Sequence, residues 1–308
     1  MRINSILLAA MLSAVTASPA AAKLNVIVTT PDLASIAQAV GGQAVDLTVL
    51  ARPTEDPHFV DARPSFIVKL NHADALIEGG AQLEIGWLAP LLEGARNPKI
   101  AAGTPGRILA NEGIAMLEVP SALDRSKGDI HAAGNPHFAV DPVNAQIIGR
   151  HFADAFSKLD ERNAAVYQAN AKQFADRLDA KLTEWKKTLA PFQDAKLVAY
   201  HNTWVYFARR FGLAMGTFLE PKPGIPPSPA HLAEVITKMK AEKIRVIIVE
   251  PYQTRKTAEA VAAGTGATVV DVAQFPGGVK GTEGGYLALL DYLVNSLAKA
   301  LAGTTRQP

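Results

Sequence analysis

The sequence of 308 residues contains no cysteine. Disulfide bridges, thiolate nucleophiles and cysteine-based metal sites are therefore excluded. An excess of charge of one sign is also missing, because 31 Lys and Arg stand against 29 Asp and Glu. Without a strong positive field, the composition argues against nucleic acid as a partner. Any chemistry must rest on histidines, carboxylates or hydroxyls.

Long apolar runs are absent as well, since no uninterrupted run reaches the 18 residues that would indicate a transmembrane helix. A short apolar run at residues 6–15 follows Arg2 and precedes the small residues SPAAA at 18–22. This pattern predicts a secretory signal peptide over residues 1–22. We expect the mature chain to lie free in the periplasm, because it has no cysteine that could accept a lipid.

Strand and helix signals alternate in two separate parts of the mature sequence. Strands are predicted at residues 24–30, 45–50 and 73–77, and again at 196–200, 245–250 and 268–272, with helices between them. We expect Asp32 to cap the first helix. Such alternation is typical of βαβ units, so the fold class is α/β with two similar lobes built on parallel sheets.

Residues 142–189 between these parts have almost no strand signal. Apolar residues recur there at helical spacing: Ala164, Tyr167, Ala171, Phe174, Leu178, Leu182 and Trp185. A helix over residues 162–189 would be roughly 40 Å long and could join two lobes, although the pattern also fits a long helix inside one domain. We predict an N-terminal lobe at 23–160, a linking helix at 161–190 and a C-terminal lobe at 191–308.

Three of the seven histidines lie in loops beside predicted strands or helices. His58 follows the second strand, His137 precedes a helix, and His201 comes directly after the strand KLVAY. Ligands of open α/β sheets bind at the carboxyl ends of strands, so these side chains can reach a shared cleft. The tripeptide Pro-His-Phe, at 57–59 and 136–138, stiffens both loops. Each histidine is a metal ligand or a structural residue; three imidazoles together would suit Zn²⁺, Cu²⁺ or Ni²⁺ better than Mn²⁺ or Mg²⁺.

The other histidines have less distinctive surroundings. For His72, His151 and His231 we expect structural or surface roles. His131 lies six residues before His137 in a glycine-rich stretch, and two interpretations stay open for it: transient capture of a metal, or no role in binding.

Several segments, in this order, resemble the metal-binding solute-binding proteins of bacterial ABC uptake transporters, the zinc and manganese cluster. These segments are LNVIVTTPDLASIAQAVGG, DPHFVDARPS, NPHFAVDP, LDERNAAVYQANAKQF, YHNTWVYFARRFGL and EPKPGIPPSPAHL. The resemblance implies two lobes tied by one long helix, with a metal between them that is passed to a membrane permease. It also implies that His58, His137 and His201 are ligands. Manganese members typically carry a carboxylate at the third position, so the resemblance implies that His201 points to Zn(II) as the bound ion.

The resemblance leaves the fourth ligand open. Family members often place an Asp two residues before the tyrosine of the last helix, where this sequence has Gly284. Glu283 is one position earlier and is expected to replace it, unless water completes the site.

The expected function is therefore periplasmic capture of Zn(II) and its delivery to an inner-membrane ABC permease by a monomeric, non-enzymatic protein. One alternative is a zinc-dependent hydrolase, because three histidines and an open position also describe catalytic zinc. Others are a manganese or other divalent metal-binding protein, and a metal chaperone or adhesin without a permease.

Overall fold

In the computed structural model, residues 22–122 and 131–304 are described. The predicted signal peptide at 1–22 lies outside them except for Ala22. The strands are β1 Leu24–Val28, β2 Val45–Val49, β3 Ala75–Glu78, β4 Arg107–Leu109, β5 Lys196–Ala199, β6 Ala214–Phe218, β7 Val246–Val249 and β8 Thr268–Asp271. The helices are α1 Pro31–Gly41, α2 Pro64–Asn71, α3 Leu88–Ala95, α4 Pro142–Leu159, α5 Ala164–Leu189, α6 Val205–Phe211, α7 Pro229–Ala241, α8 Arg255–Thr265 and α9 Tyr286–Thr304.

The described strands form two sheets of the same design. One has the order β2-β1-β3-β4 and the other β6-β5-β7-β8, and neighbouring strands pair in parallel in both. The predicted α/β fold with two similar lobes is confirmed. The edge strands β4 and β6 were not predicted, because β4 has only three residues and β6, with Gly216, buries little of its surface.

Helix α5 confirms the predicted long helix. Its buried face contains Tyr167, Ala171, Phe174, Leu178, Trp185 and Leu189, and it packs against α1, α4 and α9. The principal apolar core is continuous across the molecule, since it includes Val28 and Ile77 of the first sheet and Leu197 and Ile248 of the second. The lobes are therefore joined by a shared core as well as by the chain. The three domain boundaries stay a prediction.

The start of α1 differs from the prediction for Asp32. The helix begins at Pro31, its N-cap is Thr30, and no side chain caps it. Asp32 instead lies buried within the first turn, where its Oδ1 has no hydrogen-bond partner among the described residues. Burial raises the pKa of Asp32 to about 6. Proline at the first helical position starts this helix without a side-chain cap.

Within residues 22–122 and 131–304, no helix has the length and apolar character that crossing a membrane requires.

A buried carboxyl group ties two strand ends of the first lobe together. Oε1 of Glu84 accepts hydrogen bonds from Thr29 Oγ1 and from the Gly79 backbone N, both at 2.7 Å. Burial outweighs these bonds and raises the pKa of Glu84 from 4.5 to about 7. Folding therefore favours the protonated form, whose stabilising contribution is complete below pH 4.5 and is lost as the pH rises through about 7.

We expect Glu84→Gln to stabilise the metal-free protein above about pH 7.5 by roughly 2–3 kcal/mol. The amide oxygen can accept both hydrogen bonds, and the amide never ionises. The gain should shrink toward zero below about pH 4, where the acid is protonated in the folded and in the unfolded state. Urea unfolding across this pH range measures the effect. Glu93→Gln, at an exposed site on α3, serves as the control, and a pH-independent difference for Glu84→Gln would contradict the prediction.

Candidate metal site

The three histidines lie together between the lobes. His58 is in the loop from β2 to α2, His137 precedes α4, and His201 follows β5 by two residues. One nitrogen from each ring lies within 4.8 Å of those of the other two. Two loops of the first lobe and one of the second therefore bring imidazoles to a single point at the carboxyl ends of the strands.

The two Pro-His-Phe loops use the same local device. Oδ1 of Asp56 accepts hydrogen bonds from the backbone N of His58 at 2.9 Å and from its Nδ1 at 2.8 Å. Oδ1 of Asn135 does the same for His137, at 3.0 and 2.9 Å. The short side chain two residues before each histidine thus fixes both the loop and the ring, in addition to the stiffening predicted for the Pro-His-Phe tripeptides.

These anchors determine which ring nitrogen is free. The Asp56 carboxylate can only accept, and the amide nitrogen of Asn135 is engaged with Glu118 Oε2 and the Asn202 carbonyl, so Asn135 turns its oxygen to His137. Both rings must therefore carry their proton on Nδ1. Nε2 of His58 and Nε2 of His137 are buried and have no hydrogen-bond partner among the described residues. A buried nitrogen lone pair without a partner is unfavourable, and coordination of a cation would satisfy it.

His201 is anchored by a residue distant in sequence. Its Nδ1 lies 2.8 Å from Oε2 of Glu220, which follows β6 and bonds through its backbone N to the Tyr200 carbonyl at 3.0 Å. Glu220 was not among the residues predicted from the sequence. The signal in the sequence was the position of Glu220 directly before the proline-rich segment 221–229. The pairing of β6 with β5 brings Glu220 to His201.

Carboxylates around the histidines provide negative charge for a cation. Burial, reinforced by the neighbouring imidazoles of His58, His201 and His131, lowers the pKa of His137 well below its usual value, so this imidazole is neutral at neutral pH. Burial would also lower the pKa of His201, but the hydrogen bond and charge of Glu220, with the charges of Glu250 and Asp56, raise it overall.

Glu250 lies buried near His201 and has an Oε1 without a hydrogen-bond partner among the described residues. Burial raises the pKa of this carboxyl group to about 7. Asp56, Glu220 and Glu250 therefore place up to three negative charges around the three rings.

Glu283, the predicted fourth ligand, is not brought into this group. It is exposed, and its Oε2 accepts a hydrogen bond from the Gly281 backbone N at 2.8 Å. Among the described residues, the group of close metal-binding atoms consists of the three histidines. Glu283 as a ligand stays a prediction, and the structure gives it no direct contact with the site.

His131 lies beside the site. Its ring stacks on that of His58 at a centroid distance of 5.4 Å, and it lines a cavity of about 140 Å³ together with Glu118, His137 and His201. The other histidines lie elsewhere: His72 follows α2 and is exposed, His151 is in α4, and His231 in α7 contacts the Phe218 carbonyl.

We expect Asp56→Ala to weaken metal binding about 10–100-fold, the usual effect of losing an outer hydrogen-bond partner of a ligand. Asp56→Asn should lose less, because the amide oxygen can anchor His58 as Asn135 anchors His137. Isothermal titration with zinc measures both affinities. Asp61→Ala removes a nearby acid that is 75% exposed and should leave the affinity unchanged. Equal losses for the Ala and Asn variants would show that charge, and not ring anchoring, is the contribution of Asp56.

The known proteins that this chain resembles agree on one family. The model of the family described as "Zinc-uptake complex component A periplasmic" matches residues 26–300. The manganese ABC transporter substrate-binding lipoprotein PsaA of Streptococcus mitis is 23% identical over 287 residues, covering 91% of this chain and 90% of that protein. The iron ABC transporter substrate-binding lipoprotein MtsA of Streptococcus pyogenes serotype M1 is also 23% identical over 287 residues, with 91% and 89% covered.

Solved structures share the fold. A crystal structure of ZnuA superposes with a TM-score of 0.75 at 24% identity, covering 90% of this chain and 99% of that one. A Mn-bound periplasmic metal binding protein from Candidatus Liberibacter asiaticus gives 0.75 at 23% identity, with 91% and 100% covered. The family transports metal and is not enzymatic, so the hydrolase alternative is not favoured. The chain belongs to the family of the zinc-uptake periplasmic component, the metal-binding substrate-binding proteins of ABC transporters.

Proposed function

We propose that this protein captures Zn(II) between its two lobes in the periplasm and delivers it to an ABC permease in the inner membrane. The observation that carries the choice of metal is the convergence of three imidazoles, two of which present buried Nε2 atoms without partners. Zinc is the cargo of the protein, held by His58, His137 and His201.

The donor set supports zinc over manganese. Imidazole nitrogen suits Zn²⁺, Cu²⁺ and Ni²⁺, whereas Mn²⁺ prefers carboxylate and water oxygens. Here the nearby carboxylates of Asp56 and Glu220 bond to the far nitrogens of the rings. Such outer carboxylates orient a ligating histidine and increase its basicity. The relatives described above are named for manganese and iron. The alternative to zinc is therefore that this protein binds manganese or another divalent metal.

The periplasmic location, the permease and the monomeric state are parts of the same proposal. The signal-peptide pattern at 1–22 supports export, and the family supports an ABC permease as the recipient. The fourth coordination position is taken by water, or by Glu283 after a rearrangement of its loop.

We expect one zinc ion per chain, and a loss of affinity in His58→Ala, His137→Ala and His201→Ala that exceeds the ~10–100-fold effect of an outer partner. His72→Ala, at an exposed position outside the site, is the matched control. Metal analysis after dialysis gives the stoichiometry, and competition with a chelator gives the affinity. Unchanged affinity in two or more of the site variants would refute the three-histidine site. A parallel loss in Glu283→Ala would place its carboxylate on the metal, and no loss would assign that position to water.

We expect His201→Glu to lower the ratio of zinc to manganese affinity, because a carboxylate oxygen replaces a nitrogen donor. The ratio is measured by dialysis against mixtures of the two ions, followed by metal analysis. His72→Glu adds the same charge at an exposed position and should leave the ratio unchanged. A ratio that is equal in His201→Glu and the native protein would remove His201 as the residue that selects zinc.

A further inference from the structure

A glutamate that belongs to no predicted site joins two of the metal-binding loops. Glu118 lies between β4 and α4, and its Oε2 accepts hydrogen bonds from Asn135 Nδ2 at 3.0 Å and from Asn202 Nδ2 at 2.7 Å. Asn135 belongs to the first lobe and Asn202 to the second. One carboxylate oxygen therefore bridges the lobes.

Each of these asparagines is coupled to a histidine of the site. Oδ1 of Asn135 anchors Nδ1 of His137 at 2.9 Å, and Asn202 follows His201 directly in the chain. The asparagines also contact each other, since Asn135 Nδ2 donates to the Asn202 carbonyl at 2.9 Å. The connection from His137 through Asn135 and Glu118 to the His201 loop is thus continuous.

The backbone at Glu118 is held in an unfavourable conformation. Its φ of 55° is left-handed, which costs a residue other than glycine about 1–2 kcal/mol. The residue before it is held by a backbone hydrogen bond, because Asn135 N donates to the Leu117 carbonyl at 2.8 Å. From α6, the Tyr206 hydroxyl donates to the Asn135 carbonyl at 2.8 Å and accepts from Leu117 N at 2.9 Å. Strain of this kind persists only where the surroundings over-determine it, and it clusters at functional sites.

Gly134 makes this close approach feasible. Its φ is 102°, and a Cβ at this position would lie 2.6 Å from the Leu117 carbonyl oxygen. Glycine therefore lets the two segments pack tightly enough to aim the Glu118 carboxylate at both asparagines.

The geometry points to Glu118 as a positioning residue that holds the loops of His137 and His201 at the separation required for metal binding. This inference rests on the proposed function and adds to it a residue that controls metal retention. Release of the metal by separation of these loops requires the bond between Glu118 and Asn202 to break. Loss of the Glu118 side chain should therefore affect the dissociation rate of the metal more than the stability of the fold.

The test is the rate at which zinc leaves the full-length protein after mixing with excess chelator in a stopped-flow instrument. Glu118→Ala is expected to accelerate dissociation about tenfold or more, with the melting temperature of the metal-free protein unchanged. Glu118→Gln should retain a near-native rate, because its amide oxygen can accept both hydrogen bonds. Glu118→Gly relieves the strain at φ 55° but also lacks the carboxylate, so it should release zinc as fast as Glu118→Ala.

Control and coupling measurements complete the test. Glu93→Ala removes an exposed glutamate distant in sequence from these loops and should behave as native protein. Asn202→Ala should also accelerate release, and the double variant Glu118→Ala/Asn202→Ala should be little faster than either single variant, since both break the same bond. Additive effects would overturn the inference.

Two further outcomes would also overturn it. A native rate in Glu118→Ala would remove the positioning role, and equal acceleration in Glu118→Gln and Glu118→Ala would indicate direct contact of the carboxylate with the metal. Failure of the native protein to bind zinc would instead refute the proposed function, so the two failures are distinguishable.

Discussion

The apolar core that both sheets share with α5 and α9 is the constraint on which the site depends. Because this core is continuous from Val28 to Ile248, the carboxyl ends of β2 and β5 have a defined separation before any metal binds. The start of α9 reinforces it, since Tyr286 N donates to Ser35 Oγ at 2.8 Å and the Tyr286 hydroxyl donates to the Ala139 carbonyl at 2.6 Å. The histidine loops therefore extend from a common framework, and small local hydrogen bonds can complete the site.

Electrostatics explain why the site favours a cation. The three imidazoles lie among Asp56, Glu220 and the buried Glu250, whose pKa burial raises to about 7. Nδ1 of His58, His201 and His137 bonds to Asp56, Glu220 and Asn135 respectively. Nε2 of His58 and of His137 is left without a partner among the described residues. A divalent ion would satisfy the unpartnered nitrogens and balance the surrounding charge.

Much of the architecture could be predicted from the sequence, because it is encoded in local patterns. The helical spacing of Tyr167, Phe174 and Trp185 predicted α5, and β-branched runs predicted the central strands. Short or half-buried edge strands left no such pattern, so β4 and β6 were missed. The prediction that Asp32 caps α1 was wrong for a related reason. Proline starts this helix, and tertiary packing buries Asp32 in the first turn.

The sequence by itself determined which chemistry is available. It provides no thiolate, and His58 and His137 lie in stiff loops that also contain their anchors, Asp56 and Asn135. These anchors act across two residues and are therefore encoded locally. Only the tertiary structure decided that one nitrogen of each of the three rings lies within 4.8 Å of the others, that Glu220 orients His201, and that Glu118 joins the lobes. It also leaves Glu283 exposed outside the group. These relations depend on strand pairing and packing between residues far apart in the chain, and local patterns do not specify them.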